Sequence, residues 1–265
     1  PGRTARPRIF SRPMDLSAFT ADAWQAASLA EKTKRARALA RALPRGFAFL
    51  AVEPQDSFGR RWDAALFALG DHRFALVPGG PAIHLGYQPE RHPLALTDDD
   101  RESYEWSQES FDLPPLDEYL DTVLTPARTV ALAPYLYDVV QTHAELARML
   151  RQAGLRLPSS DEWEHALSGG AESVFLWGDT IGRRLDDPTR WCNAFGILGP
   201  SGYPELTDDP FTLRGADTGP LECAGVGRVV MRLAASPRRH EPRCTAKKLS
   251  HDTYELRLRR VCPLA

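Results

Sequence analysis

The sequence has little cysteine. Only four cysteines occur in 265 residues, and none forms a C-x-x-C pair. His240 and Cys244 are close enough to supply one half of a zinc site, but no second half follows at a matching spacing, so no metal site is expected. We expect the four thiols to be reduced core residues, because buried cysteine behaves as a small hydrophobe.

Excess charge and long apolar runs are also lacking. The formal net charge is −2, which argues against a general affinity for nucleic acid or for anionic membranes. No run approaches the ~18 apolar residues of a membrane span, and the basic, proline-rich start has no apolar core of a secretion signal. We therefore expect a cytoplasmic protein with neither nucleic acid nor membrane as partner. Its 43% hydrophobic content can fill a sizeable core.

The N-terminal part of the chain divides into two segments. Residues 1–14 carry four arginines and are predicted to be a disordered arm. Residues 15–46 are alanine-rich with apolar residues at helical spacing, which predicts an N-terminal helical segment that ends at Pro44 and Gly46. Its run of Lys and Arg suits the C-terminal end of a helix dipole, so we interpret that run as a solvated helix face.

Two further regions have helical patterns. Residues 97–121 are acidic and are predicted to form two helices separated at Pro114–Pro115. The three aspartates at 98–100 lack the alternating spacing of an EF-hand loop, so we assign them to a helix N-terminus and keep calcium as an open alternative. Residues 143–153 are predicted to form a short amphipathic helix.

Strand patterns fill much of the remainder. Residues 47–53, 61–69 and 72–87 predict an antiparallel meander, in which Pro78–Gly80 would form the turn between paired strands. Further strand patterns occur at residues 129–140, where a strand pair is predicted, and at residues 228–235 and 253–262.

One stretch has a dense set of helix signals. It reads RLPSSDEWEHALSGG, over residues 156–170. Ser159 is followed three positions later by Glu162, the spacing of a capping box in which each side chain bonds the other residue's backbone N–H. The pattern predicts a helix from about residue 160 to 167 that stops at Gly169–Gly170.

This stretch, together with FLWGD at 175–179, resembles the pattern R-L-P-[ST]-x-x-E-W-E-x-A-x-x-G-G…W-G of the formylglycine-generating enzyme (sulfatase-modifying factor) superfamily. Three further segments fall in the family's order, at residues 74–86, 193–197 and 257–262. The resemblance covers roughly residues 60–265. It implies an α+β, C-type-lectin-like mixed fold with much irregular structure over residues 47–265, to which the N-terminal helical segment is an extension.

Each residue that matches the family pattern also has an expected structural role. Arg156, Glu162 and Trp163 are expected to form a buried ion-pair and packing unit that anchors the helix to the sheet. Trp177 is expected to be a core aromatic. Asn193 is expected to bridge backbone groups in an irregular loop, a region that lies near a calcium site in the family.

The family's founding activity needs a feature that this sequence lacks. Formylglycine generation uses copper held by two cysteines about five residues apart near the chain's end, because soft thiolates select copper(I). The corresponding segment, residues 228–248, contains only Cys244, so copper is not expected. The seven histidines also lack the H-x-x-x-H-x-E spacing of the iron-dependent branch. Cys223 could lie close to another thiol only if the fold brings the two residues together in space.

A reshaped loop replaces the family's G-N-V-W-E-W segment. Charged residues cluster among glycines between residues 198 and 227, which predicts a surface loop that binds a small molecule or a protein. The candidate binding residues are Asp208, Asp209, Arg214 and Asp217; Glu205 lies in the same cluster.

Two functions follow from these features. The first is a divergent, non-copper ligand-binding or protein-interaction scaffold. The alternative is an oxidoreductase or other enzyme of altered chemistry, dependent on a metal or on a thiol. Its weak catalytic candidates are Cys223 and Cys244, of which Cys244 lies beside Arg243 and near Lys247.

Overall fold

The computed structural model describes most of the chain, namely residues 15–143, 154–181, 192–199, 204–208, 212–215, 227–233, 235–242 and 257–264. Helices and largely antiparallel sheets alternate irregularly, which confirms the α+β class. Within these residues, no helix combines the length and apolar character needed to cross a membrane.

A 3₁₀ turn at Leu16–Phe19 precedes the helices, which are α1 (Ala21–Ala26), α2 (Leu29–Ala42), α3 (Asp98–Phe111), α4 (Leu116–Val123), α5 (Ser160–Ser168) and α6 (Arg228–Leu233). The strands are β1 (Phe47–Ser57), β2 (Arg60–Leu69), β3 (His72–Val77), β4 (Gly80–Leu85), β5 (Arg128–Leu132), β6 (Tyr135–Asp138), β7 (Thr142–His143), β8 (Glu205–Leu206), β9 (Thr212–Arg214), β10 (His240–Pro242), β11 (Arg257–Leu258) and β12 (Val261–Pro263).

The central sheet has the antiparallel order β1-β2-β3-β6-β12 and is covered on both faces. Successive residues of a strand point to opposite faces, so the strands supply two cores at once. Phe67 and its cross-strand partner Phe74 belong to one core cluster, whereas Leu66 and its partner Ala75 belong to the other. This double burial explains the nearly continuous apolar runs of β2 and β3.

The N-terminal helices cover one face of this sheet. Trp24 of α1 and Leu39 of α2 are buried in the same cluster as Phe67. The indole Nε1 of Trp24 donates to the carbonyl of Asp63 at 2.8 Å, and Lys32 forms an ion pair with the Asp63 carboxylate at 2.8 Å. Residues 15–46 therefore share a core with the central sheet.

Helix α5 covers the opposite face. Trp163, Ala166 and Leu167 are completely buried against the aromatic residues Tyr135 and Tyr137 of β6. A second sheet of very short strands, in the order β10-β9-β8-β11-β7, also contacts α5 through β9. Helix α5 is thus enclosed between two sheets.

The acidic segment forms α3 and α4, which confirms the prediction of two helices separated at Pro114–Pro115. Asp100 and Thr97 form a capping box at the start of α3, so these aspartates do mark a helix N-terminus. Tyr104 of α3 packs with Tyr119 of α4 in a third core cluster.

The predicted turn at Pro78–Gly80 is wrong as a hairpin. Strand β3 pairs with β2 and β6, whereas β4 pairs with β5 in a separate sheet, so this segment carries the chain from one sheet to another. Gly79 donates to Phe19 and accepts from Ala21, and a Cβ at this position would lie 2.5 Å from the carbonyl oxygen of Leu132. Close backbone approach, rather than turn geometry, requires glycine here.

Two other strand predictions are also wrong. The strands within residues 129–140 do not pair with each other, because β5 joins β4 and β6 joins the central sheet. Residues 228–233 form helix α6, in which Val229 and Leu233 lie four positions apart and are both completely buried. That spacing is helical, but a run of six residues is too short to separate it from a strand pattern. The predicted arm at 1–14 and most of the predicted helix at 143–153 lie outside the described residues.

Candidate functional site

Helix α5 begins and ends as its sequence predicts. Ser159 accepts a hydrogen bond from the backbone N–H of Glu162, and the Glu162 carboxylate accepts one from the backbone N–H of Ser159. Gly169 ends the helix in the left-handed conformation with φ 56°. The helix is therefore defined locally, and its position is then set by packing.

The residues before and within α5 form the expected ion pair. Both terminal nitrogens of Arg156 donate to the Glu162 carboxylate at 2.6 Å, which raises the pKa of Arg156. The Arg156 side chain is 42% exposed, so the pair is only half-buried. Trp163 is completely buried, and its Nε1 donates to the Glu205 carboxylate at 3.0 Å.

Three arginines surround the second glutamate of α5. Arg128, Arg214 and Arg238 each donate to the Glu164 carboxylate, at distances of 2.7–2.9 Å. The Thr125 hydroxyl at 2.8 Å and the Gly86 N–H at 2.6 Å also donate to it. Burial alone would raise the pKa of Glu164, but the guanidinium groups outweigh it and lower that pKa to about 2. We name this set the Glu164 cluster.

The Glu164 cluster joins separate parts of the fold. Its arginines come from β5, from β9 and from the segment before β10, whereas the carboxylate comes from α5. The Arg214 guanidinium also lies over the Trp163 ring, 4.9 Å from the ring centroid. Because a buried carboxylate without partners is costly, this arrangement stabilises the packing of α5 between the two sheets.

No motif in the sequence points to this cluster. Glu164 lies two positions after Glu162, and only Glu162 stands at the capping-box spacing from Ser159. The arginines lie between 36 and 74 residues from Glu164 in the chain. The helix face around Glu164 is largely polar in the sequence, so no local pattern marks this glutamate as buried.

Asn193 joins the end of α5 to an irregular turn. Its Nδ2 donates to the carbonyls of Ala166 and Leu167, at 2.7 and 3.1 Å. Its Oδ1 accepts from the backbone N–H groups of Phe195 and Ile197. Asn193 is buried and bridges backbone groups, as expected. Trp177 is half-buried and stacks on Phe175, with ring centroids 4.6 Å apart.

A cleft of about 490 Å³ opens at the C-terminal end of α5. Its walls come from α1, the start of β2, strand β4 and the segments at 168–172 and 194–195. We name it the α5 cleft. Its volume lies within the ~300–1,000 Å³ that is usual for small-molecule sites.

Arginine and aromatic side chains dominate the chemistry of the α5 cleft. Arg60 donates to the carbonyl of Gly170 at 2.5 Å and thereby covers the end of the helix. Arg61, the next residue of β2, projects from the opposite face of the strand, where its exposed side chain contacts Asp56 at 3.4 Å. Trp62 and Phe195 pack edge to face with ring centroids 5.3 Å apart. The Arg60 guanidinium thus lies next to an aromatic surface.

Two histidines also line the α5 cleft. His84 is exposed, and its Nδ1 lies 3.1 Å from the Thr129 hydroxyl. His165 is buried, and its Nε2 donates to the carbonyl of Pro78 at 2.9 Å, which fixes the neutral ring's tautomer. Burial lowers the pKa of His165 to about 4. The only acidic side chain among the lining residues, Glu172, forms an ion pair with Arg91 at 2.8 Å.

Among the predicted binding residues, the two that the structure describes, Asp208 and Arg214, do not line the α5 cleft. Arg214 and Glu205 are completely buried in paired strands, so the expectation of a surface loop is wrong for both. Their charges are held inside because Glu164 and Arg259 neutralise them. Asp208 is exposed, as expected. Outside the described residues lie Asp209, Asp217, Cys223 and Cys244.

Of the two described thiols, Cys262 is a buried core residue, as expected, whereas Cys192 is only half-buried. Burial raises the pKa of Cys192, and burial raises that of Cys262 to about 12. Neither therefore has the lowered pKa of a reactive cysteine. In the part of the chain that the structure describes, no three His, Cys, Asp or Glu side chains converge as metal ligands.

Comparison of the chain with protein-family models gives no match, and comparison with curated proteins gives none either. The α5 cleft and the Glu164 cluster therefore have to be interpreted from their own chemistry.

Proposed function

We propose that the protein is a divergent member of the formylglycine-generating enzyme superfamily that binds a small anionic ligand in the α5 cleft. Support for the family comes from the segment at 156–170, whose motif residues carry structural roles: a capping box, an ion pair and a buried tryptophan. Asn193, in the NAFGI segment, holds the end of the same helix. The proposed fold is the C-type-lectin-like arrangement of that superfamily.

The observation that carries the binding function is the composition of the α5 cleft. Arg60 supplies guanidinium donors for a carboxylate or phosphate group, and Arg61 adds positive charge at the rim of the cleft. Trp62 and Phe195 supply an apolar surface for the rest of the ligand. Glu172 is engaged by Arg91, so its charge opposes an anion less than a free carboxylate would.

The glycines at the end of α5 bring these groups together. Gly170 has φ 73°, and a Cβ at this position would lie 3.2 Å from both Arg60 Nη2 and Phe195 Cζ. A larger residue there would displace the arginine or the ring. The double glycine thus serves the cleft as well as the helix end.

The enzymatic alternative has less support. It depends on a thiol, for which the candidates Cys223 and Cys244 lie outside the described residues, or on a metal. In the described part of the chain no thiol has a lowered pKa, and no three His, Cys, Asp or Glu side chains converge as metal ligands. A cytoplasmic location stays a prediction from composition.

The test is a binding screen followed by matched variants. Thermal unfolding would be followed with a panel of small carboxylates and phosphate esters that carry an aromatic ring, and titration calorimetry would give the dissociation constant of any compound that raises Tm. We expect R60A/R61A to weaken binding about 10- to 100-fold, since one charge-assisted bond, that of Arg60, contributes about 1.5–3 kcal/mol in favourable cases.

The control is R41A/R45A, which removes two exposed arginines that do not line the cleft. The control should bind the compound as the wild type does. The proposal fails if no anion in the panel raises Tm, or if R60A/R61A binds with unchanged affinity.

A further inference from the structure

The surface of the α3–α4 segment concentrates charge of one sign. Residues 98–121 contain ten carboxylates and one arginine, a formal charge of −9 in a chain whose total is −2. All but one of these carboxylates are exposed; the exception, Asp100, is buried by its capping box and its ion pair with Arg228 at 2.8 Å. The near-neutral total therefore hides a strongly acidic surface.

The acidic residues of α3 form an ordered stripe. Asp98, Glu102, Glu105 and Glu109 follow the i, i+4, i+7, i+11 spacing, which places all four on one face of a helix. All four are exposed, and within the described part of the chain none of them forms an ion pair. We name this set the acidic stripe. Carboxylates four residues apart repel each other, so the stripe slightly destabilises the free helix.

An exposed aromatic pair lies on the same helix: Trp106 flanks the stripe, and Phe111 stands at the C-terminal end of α3. The Trp106 side chain is 43% exposed and Phe111 is 65% exposed, and their rings pack edge to face with centroids 5.8 Å apart. Large aromatic residues in water are unfavourable, and a pair of them marks a place where another apolar surface can be buried. The acidic stripe and the aromatic pair belong to the same helix, α3.

We infer that this face of α3 docks a basic, amphipathic segment of another protein. Lysine or arginine side chains of that segment would neutralise the acidic stripe, and an apolar side chain would cover Trp106 and Phe111. Charge complementarity selects this occupant, because nucleic acids and anionic membranes are repelled by a surface of this sign. The inference is independent of the α5 cleft and does not rest on the proposed ligand.

The probe is a fluorescent synthetic helical peptide as long as α3, which has 14 residues, with lysines at i, i+4, i+7 and i+11 and leucines on an adjoining face. Fluorescence anisotropy would give its dissociation constant. We expect binding by the wild type that weakens as the salt concentration rises from about 0.05 to about 0.5 M. E102Q/E105Q/E109Q should raise the dissociation constant about tenfold, and W106S/F111S should do the same through lost apolar burial.

The matched control is E53Q/D71N/E90Q, which removes three exposed carboxylates elsewhere on the surface. This control should bind the peptide as the wild type does, and circular dichroism would show that every variant keeps its helices. Equal weakening by the control and the stripe variant would overturn the inference, because the attraction would then be general. Two further results would also overturn it: equal binding of a peptide with serine in place of leucine, or light scattering that shows the aromatic pair mediating self-association instead.

Discussion

Two helices of this protein carry glutamates in opposite circumstances. On α5, Glu164 is completely buried and is bonded by three guanidinium groups. On α3, Glu105 and its neighbours in the acidic stripe lie in water, and no ion pair holds them within the described part of the chain. The residue type is the same, but its surroundings differ. The buried glutamate has a structural role, whereas the exposed glutamates are available to a partner.

The difference between these two sets of glutamates arises from the free-energy cost of burying a charge. A carboxylate can leave water only if donors replace its hydration, so Glu164 commits three arginines to a single position. An exposed carboxylate keeps its water and contributes little to stability, which leaves it available to a partner. Buried charge therefore marks where this fold is held together, and exposed charge of one sign marks where it can interact.

The largest effect is expected from neutralising the buried glutamate. E164Q would leave three arginines close together without their anion, two of them completely buried. We expect the free energy of unfolding to fall by about 3–5 kcal/mol, measured by urea denaturation followed by circular dichroism. The matched control is E105Q on α3, which should change stability by less than about 0.5 kcal/mol. Similar losses in the two variants would contradict the comparison.

The next effect is a dependence of stability on pH. The pKa of His165 is lowered to about 4 in the folded protein, so between pH 6.5 and 4 the unfolded chain binds the proton more readily. Stability should be complete above pH 6.5 and should fall by about 3 kcal/mol as the pH is lowered toward 4. Glu164, with its pKa lowered to about 2, should add a second loss as the pH falls from about 4.5 to 2.

The variant H165Q separates these two losses. Glutamine can still donate to the Pro78 carbonyl but does not titrate. In H165Q, unfolding measured by urea denaturation at several pH values should show a flat stability between pH 6.5 and 5, with the acid loss below pH 4.5 retained. A steep loss above pH 5 in this variant would assign the effect to another group.

The smallest effect is expected from the exposed stripe. E105Q/E109Q removes one like-charge pair at i, i+4, so we expect the free energy of unfolding to rise by about 0.2–0.5 kcal/mol at low salt. The gain should disappear at about 1 M salt, where surface charges are screened. Thermal unfolding at both salt concentrations measures it. A loss of stability in E105Q/E109Q would show that these carboxylates have a structural role after all.

Local signals predicted α5 and the α3–α4 segment well. Capping boxes, apolar spacing and helix-ending residues involve neighbours in the chain, so their energies depend little on the rest of the fold. Strand patterns predicted the antiparallel pairing of β1, β2 and β3. They mistook α6 for a strand and did not predict how β4, β5 and β6 pair. Strands β3 and β4 are joined by two residues in a sequence that resembles a hairpin turn, yet they belong to different sheets because Gly79 fits against residues 19–21 and 132–134.

The candidate site was predicted less well. The Arg156–Glu162 pair was expected because the two residues lie within a short segment. For Asn193, the bonds to the backbone of its own turn were expected for the same reason, but its bonds to the end of α5 come from the fold. Arg214 was assigned to a surface loop because charged residues among glycines usually lie in water, and the presence of Glu164 beneath it could not be known. The α5 cleft is built from five separate segments, so no single stretch of sequence pointed to it.

By itself, the sequence determined the α+β class, the ends of its best-defined helices and the acidic character of residues 97–121, because these depend on composition and on contacts between near neighbours. The tertiary structure alone decided which strands pair, which charges are buried and where a cleft opens. Those properties depend on burial, since the same carboxylate or guanidinium group is solvated in one place and needs a charged partner in another.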